Sequence, residues 1–395
     1  MKLKKFMTGA LVIMFGGFWL VGCSNQDNAS GEGPILIGGT LCQTGIQAPL
    51  DTPAIEGIEL AIDQINKDGG INGRQLEFKN IDGKSDPVTV GENAKQLIAE
   101  GAVVIITPSD YDFGAPAAQA AQEAGIVGIS ASASSPLFGS TLLGDKQFTL
   151  SMWNTTMGAV IAEYAYAQGA RNIFVVTDDF IDYTKSLSRY FIERFKELGG
   201  TILQEDMFSQ GKLDTSAILA HFKALETKPD AIYASSYLPD LATLLKDFRV
   251  NGIDLPIYGG DAYDDPALAE SLGEEYANKI VFDTHAFLSE EAVPGFDDFK
   301  TRYEEKFGKT LDAPWSMSGS DVVNVLSAAM KSVGTDGAAM AKYMEENTFE
   351  CYTGQLKWSD AASGHEPTKA AAVVELVNGK PTWIGWKSAE SQPKP

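Results

Sequence analysis

Groups that can bind a charged molecule follow apolar runs directly in this sequence. Residues 130–135, Ser-Ala-Ser-Ala-Ser-Ser, combine small side chains with hydroxyl groups, so their backbone N–H groups can approach an anion closely. Asp261 follows the pair Gly259 and Gly260, where a carboxylate can face an ammonium group. Together the two segments favour a site for a small molecule that carries both kinds of charge.

Three tyrosines stand in polar segments of the same kind. Tyr111, Tyr183 and Tyr237 each supply an aromatic wall with a hydroxyl group at its tip. Small-molecule pockets combine such walls with a few polar groups that orient the ligand. Each of these residues alone is ordinary loop chemistry, so the prediction of a binding site depends on their common placement.

Residue types and spacings that carry catalysis are sparse. The three histidines, His221, His285 and His365, are not spaced as zinc ligands. The sequence also lacks a nucleophile elbow and a phosphate-binding loop, and the acidic residues within 261–265 precede a proline, which is typical of a turn and a helix cap. We therefore predict a binding protein and not an enzyme, with no catalytic residue, no cofactor and no metal ligand.

The elements that must position these segments alternate between short apolar strands and amphipathic helices. One alternating set covers residues 35–129 and a second begins after Asn154, with further helices over 295–347 and strands over 355–377. Right-handed crossovers turn such alternation into a doubly wound parallel sheet. We predict an α/β fold with two doubly wound parallel-sheet lobes joined by a multi-strand hinge.

The length of the chain also favours two lobes, because the roughly 370 residues that follow an N-terminal leader exceed one compact core. We predict lobe 1 over residues 34–151 and 286–354, and lobe 2 over residues 152–285 and 355–389. Ligands of open α/β sheets bind outside the carboxyl ends of the strands. The loops at these ends are 42–50, 107–113, 130–135, 177–183 and 259–264.

The N-terminus has the features of an export signal. Three lysines among the first five residues precede the uncharged run 6–21, which has the length of a signal-peptide apolar region. Residues 20–23, Leu-Val-Gly-Cys, resemble the lipobox of bacterial lipoproteins, and this resemblance implies lipidation of Cys23. We predict a signal peptide over 1–22, a flexible tether over 23–33 and an extracytoplasmic protein anchored by lipid to a bacterial membrane.

The composition excludes one class of partner. The formal net charge is −22 at pH 7, and so acidic a surface repels nucleic acid and anionic lipid headgroups. After Cys23, only Cys42 and Cys351 remain. An exported protein can form a disulfide, but we expect two separate small buried residues.

An ordered set of stretches resembles the type I periplasmic binding proteins, above all the leucine/isoleucine/valine-binding family of ABC-importer receptors. The resemblance extends from about Ile35 to the C-terminus. It implies two lobes that close on a small-molecule ligand such as an amino acid, and an ABC permease as the membrane partner; we also expect a monomer. The matching stretches are 56–61, 65–73, 82–87, 123–126, 129–136, 352–354 and 377–380.

The resemblance implies roles for single residues. Ala133 and Ser134 match the segment that holds the ligand carboxylate through a backbone N–H and a hydroxyl group. Asp261 matches the acidic position that pairs with the α-ammonium group. Tyr183 and Tyr237 match aromatic positions that the second lobe supplies.

Other positions depart from the family or allow two interpretations. Leu50 lies where family members often carry a tyrosine. Asp110 and Asp112 stand where the family has small residues; they either select a ligand with a second positive charge or form helix N-caps that face solvent. Trp153, at the crossing between lobes, either shapes the pocket or packs at the hinge.

The predicted function is that of an extracytoplasmic substrate-binding lipoprotein of an ABC importer. It binds an amino acid or a derivative first on lobe 1, and the contacts from lobe 2 form fully when the hinge closes. Two alternatives stay open. One is a receptor for amides, urea or aromatic acids, and the other is a ligand-sensing protein without transport.

Overall fold

The computed structural model of the protein describes residues 33–395. The predicted signal peptide, Cys23 and all of the predicted tether except its last residue lie outside this range. No helix within residues 33–395 is long and apolar enough to cross a membrane. The helices are α1 (Ala48–Lys67), α2 (Pro87–Ala99), α3 (Tyr111–Glu123), α4 (Ser140–Leu143), α5 (Asn154–Ala167), α6 (Asp182–Glu197), α7 (Thr215–Ala224), α8 (Asp240–Val250), α9 (Pro266–Leu272), α10 (Phe296–Phe307), α11 (Trp315–Val333) and α12 (Gly337–Glu346). The strands are β1 (Ile35–Gly39), β2 (Leu76–Asn80), β3 (Val104–Thr107), β4 (Val127–Ser130), β5 (Gln147–Thr149), β6 (Asn172–Asp178), β7 (Thr201–Phe208), β8 (Ala231–Ser235), β9 (Ile257–Gly259), β10 (Ile280–Thr284), β11 (Thr348–Cys351), β12 (Gly354–Trp358), β13 (Pro367–Thr368), β14 (Ala371–Val377) and β15 (Lys380–Lys387).

The first sheet has five parallel strands in the order β2-β1-β3-β4-β5. Strands such as β3 are short apolar runs buried on both faces, as expected of a parallel sheet covered by helices. On one face α1 and α11 pack through Ile58 and Val322. On the other face α2 and α3 pack through Val90 and Ala117.

The second sheet has seven strands in the order β15-β14-β10-β9-β8-β6-β7. The five strands from β10 to β7 are parallel, whereas β14 and β15 add an antiparallel pair at the edge. Val160 of α5 and Phe191 of α6 pack on one face, and Leu245 of α8 packs on the other. The predicted fold class, two α/β lobes with parallel sheets, is confirmed.

The chain passes between the two sheets three times. Residues 150–153 lead from β5 to α5, residues 285–295 lead from β10 to α10, and residues 369–370 lead from β13 to β14. After the second passage, α10 packs against α1 through Tyr303 and Leu60, so the chain has returned to the first lobe. Three adjacent connections are what a multi-strand hinge requires.

The small antiparallel sheet β11-β12-β13 belongs with the first lobe. Leu356 and Trp358 of β12 are part of the core that contains β1 and α11, and Trp358 Nε1 donates to the Thr149 carbonyl oxygen at 2.8 Å. A lobe boundary at residue 354 would separate β11 from β12, although the two strands pair directly. We therefore propose that lobe 1 continues through Thr368 and keep the other predicted limits.

Two helices begin inside segments that were predicted as loops. α1 begins at Ala48, within the predicted loop 42–50, and Pro49 occupies its first turn. α3 begins at Tyr111, because Asp110 takes the N-cap position with an extended backbone. Residues 111–113, which we expected in a loop, therefore form the first turn of α3.

The two cysteines are separate free thiols, as expected. Cys42 is buried and Cys351 is partly buried. Burial, followed by the charge of Asp51, raises the pKa of the Cys42 thiol to about 12. Because the thiolate is the reactive form, Cys42 is a packing residue.

Candidate ligand-binding site

A cavity lies between the two lobes at the carboxyl ends of their central strands. Parallel strands bring these ends to one edge of a sheet, so loops that are distant in sequence meet there. Six of the lining residues were predicted as site residues. The lining residues are Leu50, Ser109, Asp110, Ser132, Ser134, Tyr183, Tyr237, Asp261, Ala262 and Trp315.

The cavity is narrow with the lobes in this position. About 220 Å³ of space lies between its atoms, of which about 10 Å³ admits the centre of a water molecule, roughly what one water needs. Pockets for small ligands commonly occupy about 300–1,000 Å³. A ligand therefore has to part the lobes or displace side chains. A larger cavity, in which about 580 Å³ admits the centre of a water molecule, lies beside α9 and residues 286–288, but none of the predicted site residues lines it.

Ser130 folds the serine-rich loop back on itself. Its Oγ accepts hydrogen bonds from the backbone N–H groups of Ser132 at 3.3 Å and Ala133 at 3.0 Å. Ala133 is fully buried in a small apolar cluster of lobe 1 and does not line the cavity. The structure therefore places Ser134 at the cavity, adds Ser132 and leaves Ala133 behind them.

A buried acid fixes Ser109 after β3. The Asp51 carboxylate accepts hydrogen bonds from the N–H of Ser109 at 3.0 Å, from its hydroxyl at 2.5 Å, and from the N–H of Cys42 at 2.7 Å. Burial raises the pKa of Asp51 to about 7, although these hydrogen bonds oppose the shift. Ser109 lies in the predicted loop 107–113 but was not predicted as a site residue. Asp51 was not predicted either, because it lies in a helix and reaches β3 only through tertiary packing.

Asp110 connects the two lobes. Its Oδ2 accepts hydrogen bonds from Gln47 Nε2 at 2.7 Å and, across the cleft, from Tyr237 Oη at 2.8 Å. Burial raises the pKa of Asp110 to about 7, and the two hydrogen bonds oppose that rise. Asp110 occupies the N-cap position of α3 without a side-chain capping bond, and only 3% of it is exposed. The interpretation that Asp110 faces solvent is therefore wrong, because Gln47 and Tyr237 hold it at the cleft.

Asp261 is the centre of a hydrogen-bond network in lobe 2. Its Oδ1 accepts from Tyr183 Oη at 2.5 Å, and its Oδ2 lies 3.1 Å from His285 Nε2. Tyr183 Oη in turn accepts from the N–H of Ala262 at 3.2 Å, and the rings of Tyr183 and Tyr237 lie 5.2 Å apart. Burial lowers the pKa of His285, so the ring is neutral near pH 7 and we assign its Nε2–H as a donor to Asp261.

Two apolar side chains close the cavity. Leu50 comes from α1, and Trp315 is the first residue of α11. The indole ring of Trp315 also packs edge-on against His285, with centroids 5.1 Å apart. Sequence analysis missed Trp315, because this residue comes from a helix and not from a strand-end loop.

Besides Ala133, three more predicted residues lie outside the cavity lining. Asp112 Oδ2 accepts a hydrogen bond from the backbone N–H of Asp182 in lobe 2 at 2.9 Å, so it contacts the other lobe. Tyr111 packs against the small apolar cluster of lobe 1. Trp153 is 2% exposed, and a Cβ on Gly364 would lie 2.9 Å from its ring, so Trp153 packs at the crossing between lobes.

The lining of the cavity is acidic. It contains Asp110 and Asp261, and neither a lysine nor an arginine is among its described residues. Across residues 33–395, no three His, Cys, Asp or Glu side chains are grouped so as to hold a metal ion. Lobe 1 offers hydroxyl groups and lobe 2 offers a carboxylate and phenols, an arrangement suited to binding a small polar molecule.

Two α/β lobes with a polar cavity at their hinge define a solute-binding protein that closes on its ligand. A profile of the family described as periplasmic binding protein matches residues 34–381. The Leu/Ile/Val-binding protein of Citrobacter freundii is 23% identical over 307 residues, 76% of this chain and 80% of its own length. The leucine-, isoleucine-, valine-, threonine- and alanine-binding protein of Pseudomonas aeruginosa is 22% identical over 356 residues, 89% of this chain and 92% of its own.

Solved structures agree with this similarity. The substrate-binding protein of a branched-chain amino acid transporter from Streptococcus pneumoniae, in complex with isoleucine, has a TM-score of 0.81 at 26% identity, covering 90% of this chain and 99% of its own. A solute-binding protein from R. palustris with benzoate has a TM-score of 0.74 at 22% identity, covering 92% and 98%, and supports the fold alone. The chain belongs to the type I periplasmic binding proteins, in the leucine/isoleucine/valine-binding family.

Proposed function

We propose that this protein is the extracytoplasmic receptor of an ABC importer and captures an amino acid, or a close derivative, that carries a cationic amine. The observation that supports this proposal is the division of the cavity. The hydroxyl groups of Ser132 and Ser134 belong to lobe 1, and the carboxylate of Asp261 belongs to lobe 2. An α-amino acid presents a carboxylate to one side and an ammonium group to the other, so both ends find partners.

Asp110 gives the site a second carboxylate. When the lobes part, Tyr237 withdraws and a ligand can reach the Asp110 carboxylate, whose Oδ2 accepts from Tyr237 again when the lobes close. A positive group on the ligand side chain would then compensate a buried charge that is otherwise costly. We therefore propose that the site prefers amino acids or derivatives with a second positive group over aliphatic ones.

Aromatic acids suit this site poorly. An anionic ligand would lie beside Asp110 and Asp261 without a lysine or arginine in the lining. Like charges brought together in an interface cost several kcal/mol. The benzoate complex of the R. palustris structural neighbour therefore carries no weight for the ligand of this chain.

Hydrogen bonds between the lobes favour the closed form. Besides the bond from Tyr237 to Asp110 at 2.8 Å, the N–H of Asp182 donates to Asp112 at 2.9 Å, and the hydroxyl of Ser135 donates to the Asp182 carboxylate. All three bonds require the lobes to be together. A ligand that contacts both lobes adds its own differential affinity for the closed form.

Anchoring and transport complete the proposal. Lipidation of Cys23 would hold the protein at the membrane, and the tether would let the lobes reach a permease that recognises the closed form. The Streptococcus pneumoniae protein, described as a transporter's substrate-binding protein, supports a role in transport.

Thermal melting of the ligand-free protein tests the ligand class. A ligand at one hundred times its dissociation constant stabilises the folded state by about 2.7 kcal/mol, which shifts the melting temperature measurably. We expect shifts from amino acids, largest for lysine and ornithine, and a loss of the shift when the ligand carboxylate is amidated. Shifts only from amides, urea or benzoate would contradict the proposal.

A further inference from the structure

Asp283, in β10, is a buried acid without a partner. It has no exposed surface, and neither of its carboxyl oxygens makes a hydrogen bond. An ionised carboxylate is unfavourable in such a place. Burial, together with the charge of Asp261, raises the pKa of Asp283 well above its ordinary value. Complete burial and the missing hydrogen bonds thus both favour the neutral carboxylic acid over the carboxylate at this position.

The strand register brings Asp283 next to the ligand site. β10 runs parallel to β9, and the register continued past Gly259 places Asp283 beside Gly260. A Cβ on Gly260 would lie 2.8 Å from Tyr183 Oη and 3.7 Å from Asp283 Oδ1. Tyr183 Oη donates a hydrogen bond to Asp261. Asp283 and this hydrogen bond therefore border the same space at Gly260.

Other buried polar atoms in this part of lobe 2 also lack a hydrogen-bond partner among residues 33–395. Tyr233 Oη, Ser235 Oγ and His285 Nδ1 are buried without a hydrogen-bond partner. Burial first, and then the charges of Asp283, Tyr263 and Asp261, raise the pKa of Tyr233, so Tyr233 is close to Asp283. Buried polar groups are rarely left unpaired, and here they collect behind the cleft.

No cation among residues 33–395 forms an ion pair with Asp283, and none is among the causes that shift its pKa. His285, at the end of the same strand, has its pKa lowered by burial, and the charge of Lys369 opposes its protonation further. The buried residues of α5, which packs against the second sheet, are all uncharged. The groups that face Asp283 from the other elements are Asp261 after β9, Tyr233 on β8, Tyr183 on α6 and, opposite in register, Val373 on β14.

We propose that Asp283 is a specificity-determining residue, a proposal that rests on the proposed function. Asp283 gives up its proton when a cationic group of the ligand binds at Asp261. In this step the carboxyl O–H bond breaks, its electron pair stays on Asp283, and the proton leaves to solvent. The ligand keeps its own protons and charge. The favoured ligand group is a protonated amine, amidine or guanidine.

The Asp261–Asp283 pair thereby discriminates between ligands by charge. A cation converts Asp283 into a second carboxylate that attracts it, and the hydroxyl groups of Tyr233 and Ser235 can donate to the new charge. A neutral ligand leaves the proton in place and gains nothing from Asp283. An anionic ligand would lie beside two acids, Asp261 and Asp283, and is disfavoured.

Calorimetry with L-lysine and 1,4-diaminobutane, in two buffers of different ionisation enthalpy, measures proton release. We expect the wild type to release up to about one proton per bound ligand at pH 8, where Asp110, with a pKa of about 7, is already ionised. Asp283→Asn should release none and bind both probes about tenfold or more weakly. Asp178→Asn is the matched control, because that acid is also buried in lobe 2, but it accepts three hydrogen bonds and does not line the cavity; this variant should release protons as the wild type does.

Infrared spectroscopy provides a readout that needs no variant to bind. The ligand-free wild type should show a protonated carboxyl band at pH 8, where Asp51 and Asp110 are ionised, and the band should disappear on adding L-lysine. Absence of the band overturns the inference even if Asp283→Asn does not fold. Amine binding without proton release overturns the inference alone, whereas binding of only amine-free compounds overturns the proposed function as well.

Discussion

Replacement of Tyr237 by phenylalanine tests how the lobes are held together. The change removes one hydroxyl group and keeps the ring, whose centroid lies 5.2 Å from that of Tyr183. That hydroxyl donates across the cleft to Asp110 Oδ2 at 2.8 Å. The substitution therefore removes a contact between the lobes and leaves the packing within each lobe unchanged.

The size of the Tyr237→Phe effect depends on the hydrogen-bond partners that Asp110 keeps. A hydrogen bond to a charged group contributes about 1.5–3 kcal/mol. Asp110 keeps its bond from Gln47 Nε2 at 2.7 Å, so we expect the lower part of that range, about 1.5–2 kcal/mol. Each 1.4 kcal/mol or so is a factor of ten. The ratio of closed to open molecules should therefore fall roughly 10–30-fold.

Spin labels at the exposed positions Lys95 and Lys246, one on each lobe, report the separation of the lobes. We expect Tyr237→Phe to broaden the distance distribution and to weaken ligand binding by the same factor at pH 8, where Asp110 is ionised. Tyr164→Phe is the matched control, because that ring packs within the second lobe. If Tyr237→Phe changes neither distance nor affinity by more than twofold, the bond does not stabilise closure and the reasoning is refuted.

Three changes test other parts of the molecule. Asp261→Asn should weaken amino-acid binding about 30-fold or more in calorimetry, because removing one partner of a buried charge pair costs about 2–5 kcal/mol; a loss below threefold would contradict the amine assignment. Cys23→Ala should abolish the acyl mass that intact-mass analysis finds on the wild type, and an unmodified wild-type N-terminus would argue against the anchor. Folded Asp51 holds a proton up to pH about 7, whereas an unfolded aspartate loses it near pH 3.9. The contribution of Asp51 to the free energy of unfolding should therefore be highest at low pH and fall as the pH rises from about 4 through 7; Asp51→Asn should remove this contribution, so that its stability relative to the wild type rises over this range in chemical denaturation, and a difference that does not change with pH would exclude the effect.

Lining residues that follow a parallel strand were predictable. Asp110, Ser134, Tyr237 and Asp261 come shortly after β3, β4, β8 and β9. The alternation of strands and helices, with right-handed crossovers, is enough to bring these strand ends to one edge. Their placement follows from chain order, whereas their roles in binding stay predictions.

Residues that approach from other elements were not predictable in this way. Trp315 begins a helix, Gln47 precedes one, and His285 follows β10 at a crossing between lobes, so each reaches the cleft through the packing of whole elements. Ala133 is the opposite case. Its loop was located correctly, but which residue of the loop faces the cavity depends on the turn that Ser130 holds, and no periodicity shows that.

β10 departs from the pattern by which a buried parallel strand is predicted, and this departure bears on the function of Asp283. β10 has the sequence Ile-Val-Phe-Asp-Thr and is buried throughout, so its acid interrupts the apolar run that identifies a buried parallel strand. Proteins keep such local violations chiefly at functional sites and compensate for them elsewhere. Asp283→Val should therefore raise the free energy of unfolding of the ligand-free protein by about 1–3 kcal/mol, because it removes an unpaired buried polar group, while it weakens the binding of L-lysine. Chemical denaturation and calorimetry on the same variant measure both effects. A variant that is less stable than the wild type would show that Asp283 has a structural partner. A variant that is more stable but binds lysine as the wild type does would show that the acid in β10 has no role in ligand binding.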